Sequence, residues 1–206
     1  MIELLAVTGS SAPPPPPLRV VRRDGLSMVW TEAHAPAEPS ADDLWRHSAL
    51  LERLMEDRDL LPVRYGTVVR DEDAAAHVLQ ERREELAAGL ERVRGAVELA
   101  LRVRSRSGGG PRPEAAAAPT GRAYLDTRAG GVRAATEVGA ALAPMARESI
   151  VQPSGDLLRA AYLVDRTDVD AFVARVRALQ DEHQDLALLC TGPWPPYSFT
   201  EGKIAR

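Results

Sequence analysis

The sequence predicts an α/β (α+β) protein of two subdomains, a modified ferredoxin-like α/β unit over residues 1–94 and a ferredoxin-like βαββαβ unit over 95–206. Three observations carry this expectation. Short apolar runs alternate with amphipathic helical stretches along the whole chain. The second half orders its elements strand, helix, two strands, helix, strand, which is the split βαβ pattern. A chain of 206 residues, 45% hydrophobic and 27% charged, is long and apolar enough to bury a core in one or two domains.

In the first half, Ile2–Val7 reads as a strand closed by Thr8-Gly9-Ser10-Ser11. Pro13–Pro17 follow and force a stiff polyproline II connection, since no ladder or helix runs through five residues without backbone donors. Leu18–Val21 and Leu26–Thr31 are short apolar runs around Asp24-Gly25, the turn chemistry of a hairpin. Ser40 is a good N-cap, with Asp42 and Asp43 in the first turn where the helix dipole favours acids. Leu44, His47, Leu51, Leu54 and Met55 then recur at helical spacing, which predicts an amphipathic helix over Ala41–Arg58. Leu60–Val69 reads as one strand, and the acidic cap Asp71-Glu72-Asp73 opens one long helix with Val78, Leu79, Leu86, Leu90 and Val93 on its buried face.

In the second half, Ala96–Arg104 alternates as a strand. Residues 105–120, with three glycines, Pro-Arg-Pro and an alanine tract, read as a mobile insertion. A helical region follows from about Arg122 to Met145, then two strands, Ile150-Val151 and Leu158–Val164, around Pro153-Ser154-Gly155. Thr167 with Asp170 three residues on predicts a capped helix whose stripe is Val169, Phe172, Val173, Val176 and Leu179. Asp185–Cys190 is the last strand.

Composition removes several function classes. No uncharged apolar run approaches the roughly 18–20 residues of a spanning helix. Ile2–Val7 is too short and too acidic, with Glu3 inside it, for a secretory segment, so a cytoplasmic protein is expected. Cys190 stands alone, which leaves no disulfide framework and no thiolate zinc cluster. A net charge of −4 argues against a polyanion binder, and Arg102, Arg104 and Arg106 fit the solvated face of a strand.

Catalytic signatures are missing too. There is no phosphate-cradling glycine loop, no Gly-Lys-Ser/Thr and no asparagine, and the four histidines never stand at helical metal-ligand spacing. His47 lies on the apolar face of its helix, where a hydrogen-bonded buried histidine is the expected role. Neither an enzyme nor a metal or cofactor site is expected.

Two segments depart from generic patterning. In Leu61-Pro62-Val63-Arg64-Tyr65-Gly66-Thr67, Arg64 interrupts an apolar strand and must reach solvent or a partner, while Gly66 permits a bulge or a close backbone approach. In Thr191-Gly192-Pro193-Trp194-Pro195-Pro196-Tyr197-Ser198-Phe199, three aromatics sit among three prolines that restrict their geometry. This tail suits either an interaction surface with aromatic anchors or a strap that folds back onto its own core.

Together with Leu44-Trp45-Arg46-His47-Ser48-Ala49-Leu50-Leu51-Glu52, Leu60–Val68 and Ala161-Tyr162-Leu163-Val164-Asp165, these segments resemble the gas vesicle protein F/L family across nearly the whole chain. The resemblance implies an N-terminal α/β domain followed by a ferredoxin-like one, and an accessory role in assembling gas vesicles without catalysis. It implies binding to the small hydrophobic shell subunit, to other accessory gas vesicle proteins, or to both, with location in the cytoplasm and at the gas vesicle. Leu61, Pro62, Arg64, Tyr65, Gly66, Trp194, Pro195, Pro196, Tyr197 and Phe199 are the candidate protein-binding residues. The chain departs from the family in its opening strand, which lacks aromatics, in the proline run, and in Tyr65 where phenylalanine is common. The alternative is a ferredoxin-like nucleic-acid-binding module, which would stack bases on strand aromatics; the second half offers only Tyr162 for that.

Overall fold

The computed structural model describes residues 1–9, 11–33, 40–106, 121–152 and 157–200. It is an α+β protein with two antiparallel sheets and, among the described residues, five α-helices. The chain divides into one unit of Met1–Val97 with the tail from Trp194 and a second unit of Glu98–Pro193.

In the first unit, β1 (Ile2–Thr8), β2 (Arg19–Arg23), β3 (Leu26–Glu32) and β4 (Leu60–Pro62) pair in the order β2-β3-β1-β4, and β5 (Val68–Val69) also pairs with β1. β1 is central, and its side chains are buried almost without alternation, so both faces of the sheet are covered. The hairpin forms at Asp24-Gly25, both with positive φ (50° and 83°), with Arg23 opposite Leu26, as the turn residues predict. The proline run carries a turn and a cis Pro16-Pro17 bond rather than an unbroken polyproline II segment.

Helix α1 (Ala41–Met55) begins with a capping box: the Asp43 N–H donates to Ser40 Oγ at 3.2 Å and the Ser40 N–H donates to Asp43 Oδ2 at 3.1 Å. It buries His47, Leu51, Leu54 and Met55, but Leu44, expected on the same stripe, is 47% exposed. Two other expectations fail. The long helix is two, α2 (Glu72–Glu81) and α3 (Arg83–Val93), divided at Arg82. The break lets α3 bury Leu86 and Val93 and bring Gly89 against β4, where an added Cβ would stand 3.0 Å from Leu61 Cδ1. The strand Leu60–Val69 is also two, because residues 64–66 loop out between β4 and β5.

The second unit follows β6 (Ala96–Ser105), α4 (Gly121–Leu142), β7 (Glu148–Gln152), β8 (Leu158–Asp165), α5 (Val169–Glu182) and β9 (Leu186–Trp194), in the sheet order β7-β8-β6-β9. Alternate residues of β6 and β8, among them Leu99, Leu101, Val103, Leu158 and Tyr162, form its core with Val138, Leu142, Phe172 and Val176. Thr167 does not cap α5; it lies in the 3-10 turn Arg166–Asp168, and Asp168 takes the cap position without a side-chain hydrogen bond. The last strand runs past Cys190 to Trp194. Residues 107–120 of the expected insertion and the turn Pro153-Ser154-Gly155 lie outside the described residues.

The tail corrects the expected boundary. A second domain of 95–206 placed it with the C-terminal half, whereas it groups with the first unit. Burial explains the difference: Pro195 and Pro196 are buried and Phe199 is 1% exposed, with the Phe199 carbonyl accepting from Arg92 Nη1 of α3 at 3.2 Å.

Candidate functional site

The two segments that stand out in the sequence meet at His47. Val63 N–H donates to Leu5 O at 2.7 Å and Leu4 N–H donates to Thr67 O at 2.9 Å, so the chain holds β1 on either side of a four-residue turn. Within the turn, Thr67 N–H donates to Arg64 O at 3.2 Å, and Gly66 sits at φ 77°, the left-handed position of a type II turn. The Gly66 N–H donates to Glu3 Oε1 at 3.1 Å. Arg64 is therefore an exposed turn residue rather than a charge inside a strand.

His47 rises from α1 into this arrangement, 6% exposed. Its Nε2 lies 3.2 Å from Val63 O and 3.2 Å from the Tyr197 hydroxyl, its Nδ1 lies 3.7 Å from Glu3 Oε1, and its ring meets Tyr65 edge-on with centroids 5.3 Å apart. A carbonyl oxygen only accepts, so the neutral ring carries its proton on Nε2 to serve Val63. Burial pushes the His47 pKa down, against the opposing pull of the Glu3 carboxylate and of the Val63 carbonyl. Burial also pushes the Tyr197 hydroxyl up to about 12. The tail is held by Tyr197 N–H donating to Pro195 O at 2.8 Å, Phe199 N–H donating to Pro196 O at 3.1 Å and Thr200 Oγ1 donating to Tyr197 O at 2.9 Å.

Of the ten candidate residues, Leu61, Pro62, Pro195, Pro196 and Phe199 are buried. Arg64, Tyr65, Gly66, Trp194 and Tyr197 keep accessible surface, Tyr197 at 41% although its hydroxyl points at His47. The sequence reading missed Glu3. The logic applied to Arg64, a charge inside an apolar strand, finds it when applied to Ile2–Val7. Trp45, 70% exposed on α1, was also outside the candidate set.

Nothing in this cluster resembles a nucleophile with its base, and among the described residues no group of His, Cys, Asp and Glu gathers as a metal site. Burial raises the Cys190 pKa, which suits an unreactive thiol. Tyr162 is fully buried against Phe172, centroids 5.1 Å apart, so it offers no face to a base. No helix among the described residues is long and apolar enough to cross a membrane.

Comparison with known proteins gives one direction. A family model described as gas vesicle synthesis protein GvpL/GvpF matches residues 6–201. The chain is 29% identical to gas vesicle protein F of Streptomyces sp. (strain CB03234), over 90% of this chain and 88% of that one. It is also 29% identical to gas vesicle protein L of the same strain, over 77% of this chain and 69% of that one. The crystal structure of GvpF from Anabaena sp. PCC7120 superposes with a TM-score of 0.80 at 19% identity, covering 97% of this chain and 95% of that chain, which is a likeness of fold.

Proposed function

The chain belongs to the gas vesicle synthesis protein GvpL/GvpF family, and from that premise we propose that it is an accessory protein of gas vesicle assembly that binds the small hydrophobic shell subunit and bridges it to other accessory gas vesicle proteins. One observation supports this reading above the others: His47, bound to Val63 O and edge-on to Tyr65 of the Arg64–Thr67 turn, joins that segment to Tyr197 of the Trp194–Phe199 tail. That junction sets Tyr65 and Tyr197 about one buried imidazole, and both keep accessible surface. Tyrosine and tryptophan held by prolines and a fixed turn supply contact area at little cost in conformational entropy, the usual chemistry of a protein-binding anchor. An apolar client docks on such a surface and is kept from pairing with itself.

On this reading the protein works in the cytoplasm and at the growing vesicle, without a cofactor. The order β7-β8-β6-β9 sets the first and third strands of the second unit at the centre of its sheet, which supports a ferredoxin-like second unit. The test is co-expression with the shell subunit. A soluble complex that survives purification is expected, weakened by Trp194→Ala with the melting temperature kept. Failure of wild-type protein to retain the subunit overturns client binding.

A further inference from the structure

Beside His47 a groove of about 430 Å³ opens between α1 and the strands of the first unit, within the roughly 300–1,000 Å³ range of ligand sites. Leu5, Leu50 and Tyr65 give it apolar walls, and three carboxylates, Glu3, Glu32 and Asp43, line it against one guanidinium, Arg46. Two of the three carboxylates are paired: Asp43 lies 3.3 Å from Arg46, and Glu32 lies 3.3 Å from Arg19. Glu3 differs. Among the described residues it meets no guanidinium; its Oε1 accepts from Gly66 N–H and faces His47 Nδ1 at 3.7 Å. When Nε2 of the neutral ring donates to Val63 O, Nδ1 presents a lone pair, so two acceptors oppose each other at the groove wall. Glu3 is 14% exposed, too buried to be relieved fully by water.

We propose that this groove receives a basic side chain, arginine or lysine, borne by an otherwise apolar segment of a partner protein, with the aliphatic stem along the half-buried Leu50 and Tyr65 and the cationic head at Glu3. Charge complementarity selects this occupant: a net negative, apolar-walled groove with one carboxylate that meets no guanidinium among the described residues fits a long stem with a charged end. Naming the partner as the shell subunit rests on the function proposed above, whereas the chemistry of the groove does not.

The test separates the two. Hexylguanidinium chloride and its neutral analogue hexylurea are titrated into the full chain, with leucine methyl and aromatic ring resonances followed by NMR. Shifts centred on Leu5, Leu50, Tyr65 and His47 are expected with hexylguanidinium, at about tenfold weaker apparent affinity for hexylurea. Glu3→Gln keeps an oxygen for Gly66 N–H and is expected to erase the preference. Should that variant fold poorly, Leu50→Lys, which fills the groove with a cation of its own, is expected to block the probe. Equal binding of both compounds, or no localised shifts, overturns the proposal. With the groove's preference established, retention of the shell subunit undiminished by Glu3→Gln overturns the groove as the client's site. Absence of any wild-type complex overturns the client and leaves the cation site standing.

Discussion

The Tyr197 hydroxyl stands 3.2 Å from Nε2 of His47 across 150 residues of chain. That one contact ties the tail to the first helix of the same unit, and it makes separable demands on stability and on binding.

Tyr197→Phe removes the hydroxyl and leaves the ring. The expected loss is about 0.5–1.5 kcal/mol, measured by denaturant unfolding. His47→Phe and the double variant complete a thermodynamic cycle, and a coupling energy near zero would mean that the contact does not hold the tail.

Acid weakens the fold through His47. Its folded pKa lies below the ordinary 6.5, so the unfolded chain binds the proton more readily and stability rises with pH. The contribution is complete above about pH 6.5 and is lost as pH falls through that value toward the folded pKa. Glu3, Tyr65, Tyr197 and, on α1 itself, Asp43 and Arg46 are the titratable and charged groups about the site. The melting temperature is expected to drop between about pH 6.5 and 5, with His47→Gln flattening that slope. The Asp43 and Asp71 carboxyls, held below their ordinary 3.8 by cap hydrogen bonds, act only in a lower window.

Gly66 and Gly130 respond oppositely to alanine. At Gly66 the backbone is left-handed, φ 77°, and alanine is expected to cost about 1–2 kcal/mol although nothing stands within 4 Å of the new methyl. At Gly130, exposed within α4 and with open space around it, alanine is expected to stabilise by up to about 1 kcal/mol. Equal effects at the two sites would refute the turn geometry.

Phe199 and Trp194 divide the two roles of the tail. Phe199→Ala empties a fully buried position and is expected to cost about 3–5 kcal/mol. Trp194→Ala, at a half-buried position, is expected to lower shell-subunit retention by more than it lowers the melting temperature. Parallel losses in both assays at Trp194 would make the whole tail a strap.

How much of this was legible in the sequence depended on how local the cause was. The Asp24-Gly25 turn and the Ser40 N-cap are decided within four residues, and both formed as expected; the reciprocal bond that makes Ser40 and Asp43 a capping box goes beyond that expectation. The break at Arg82 has no glycine or proline to mark it, and the close approach of Gly89 to Leu61 on β4 is a contact that only the fold reveals. Leu60–Val69 looked like a strand since its ends are one; Gly66 marked the place, but the loop-out needs β1 opposite to become visible. The site was half legible: the turn and the tail were singled out separately, and only the fold brings His47 and Glu3 between them.

The return of the tail to the first unit fixes an order of manufacture. The first unit's residues up to Val97 are synthesised first, yet Phe199, which groups with them and is 1% exposed, emerges after the whole of the second unit, about a hundred residues later. At roughly 5–20 residues per second the ribosome needs about 5–20 s to deliver it. A premature stop at Pro193 would therefore release a chain with its second unit complete and its first unit without buried Phe199 and the carbonyl that accepts from Arg92.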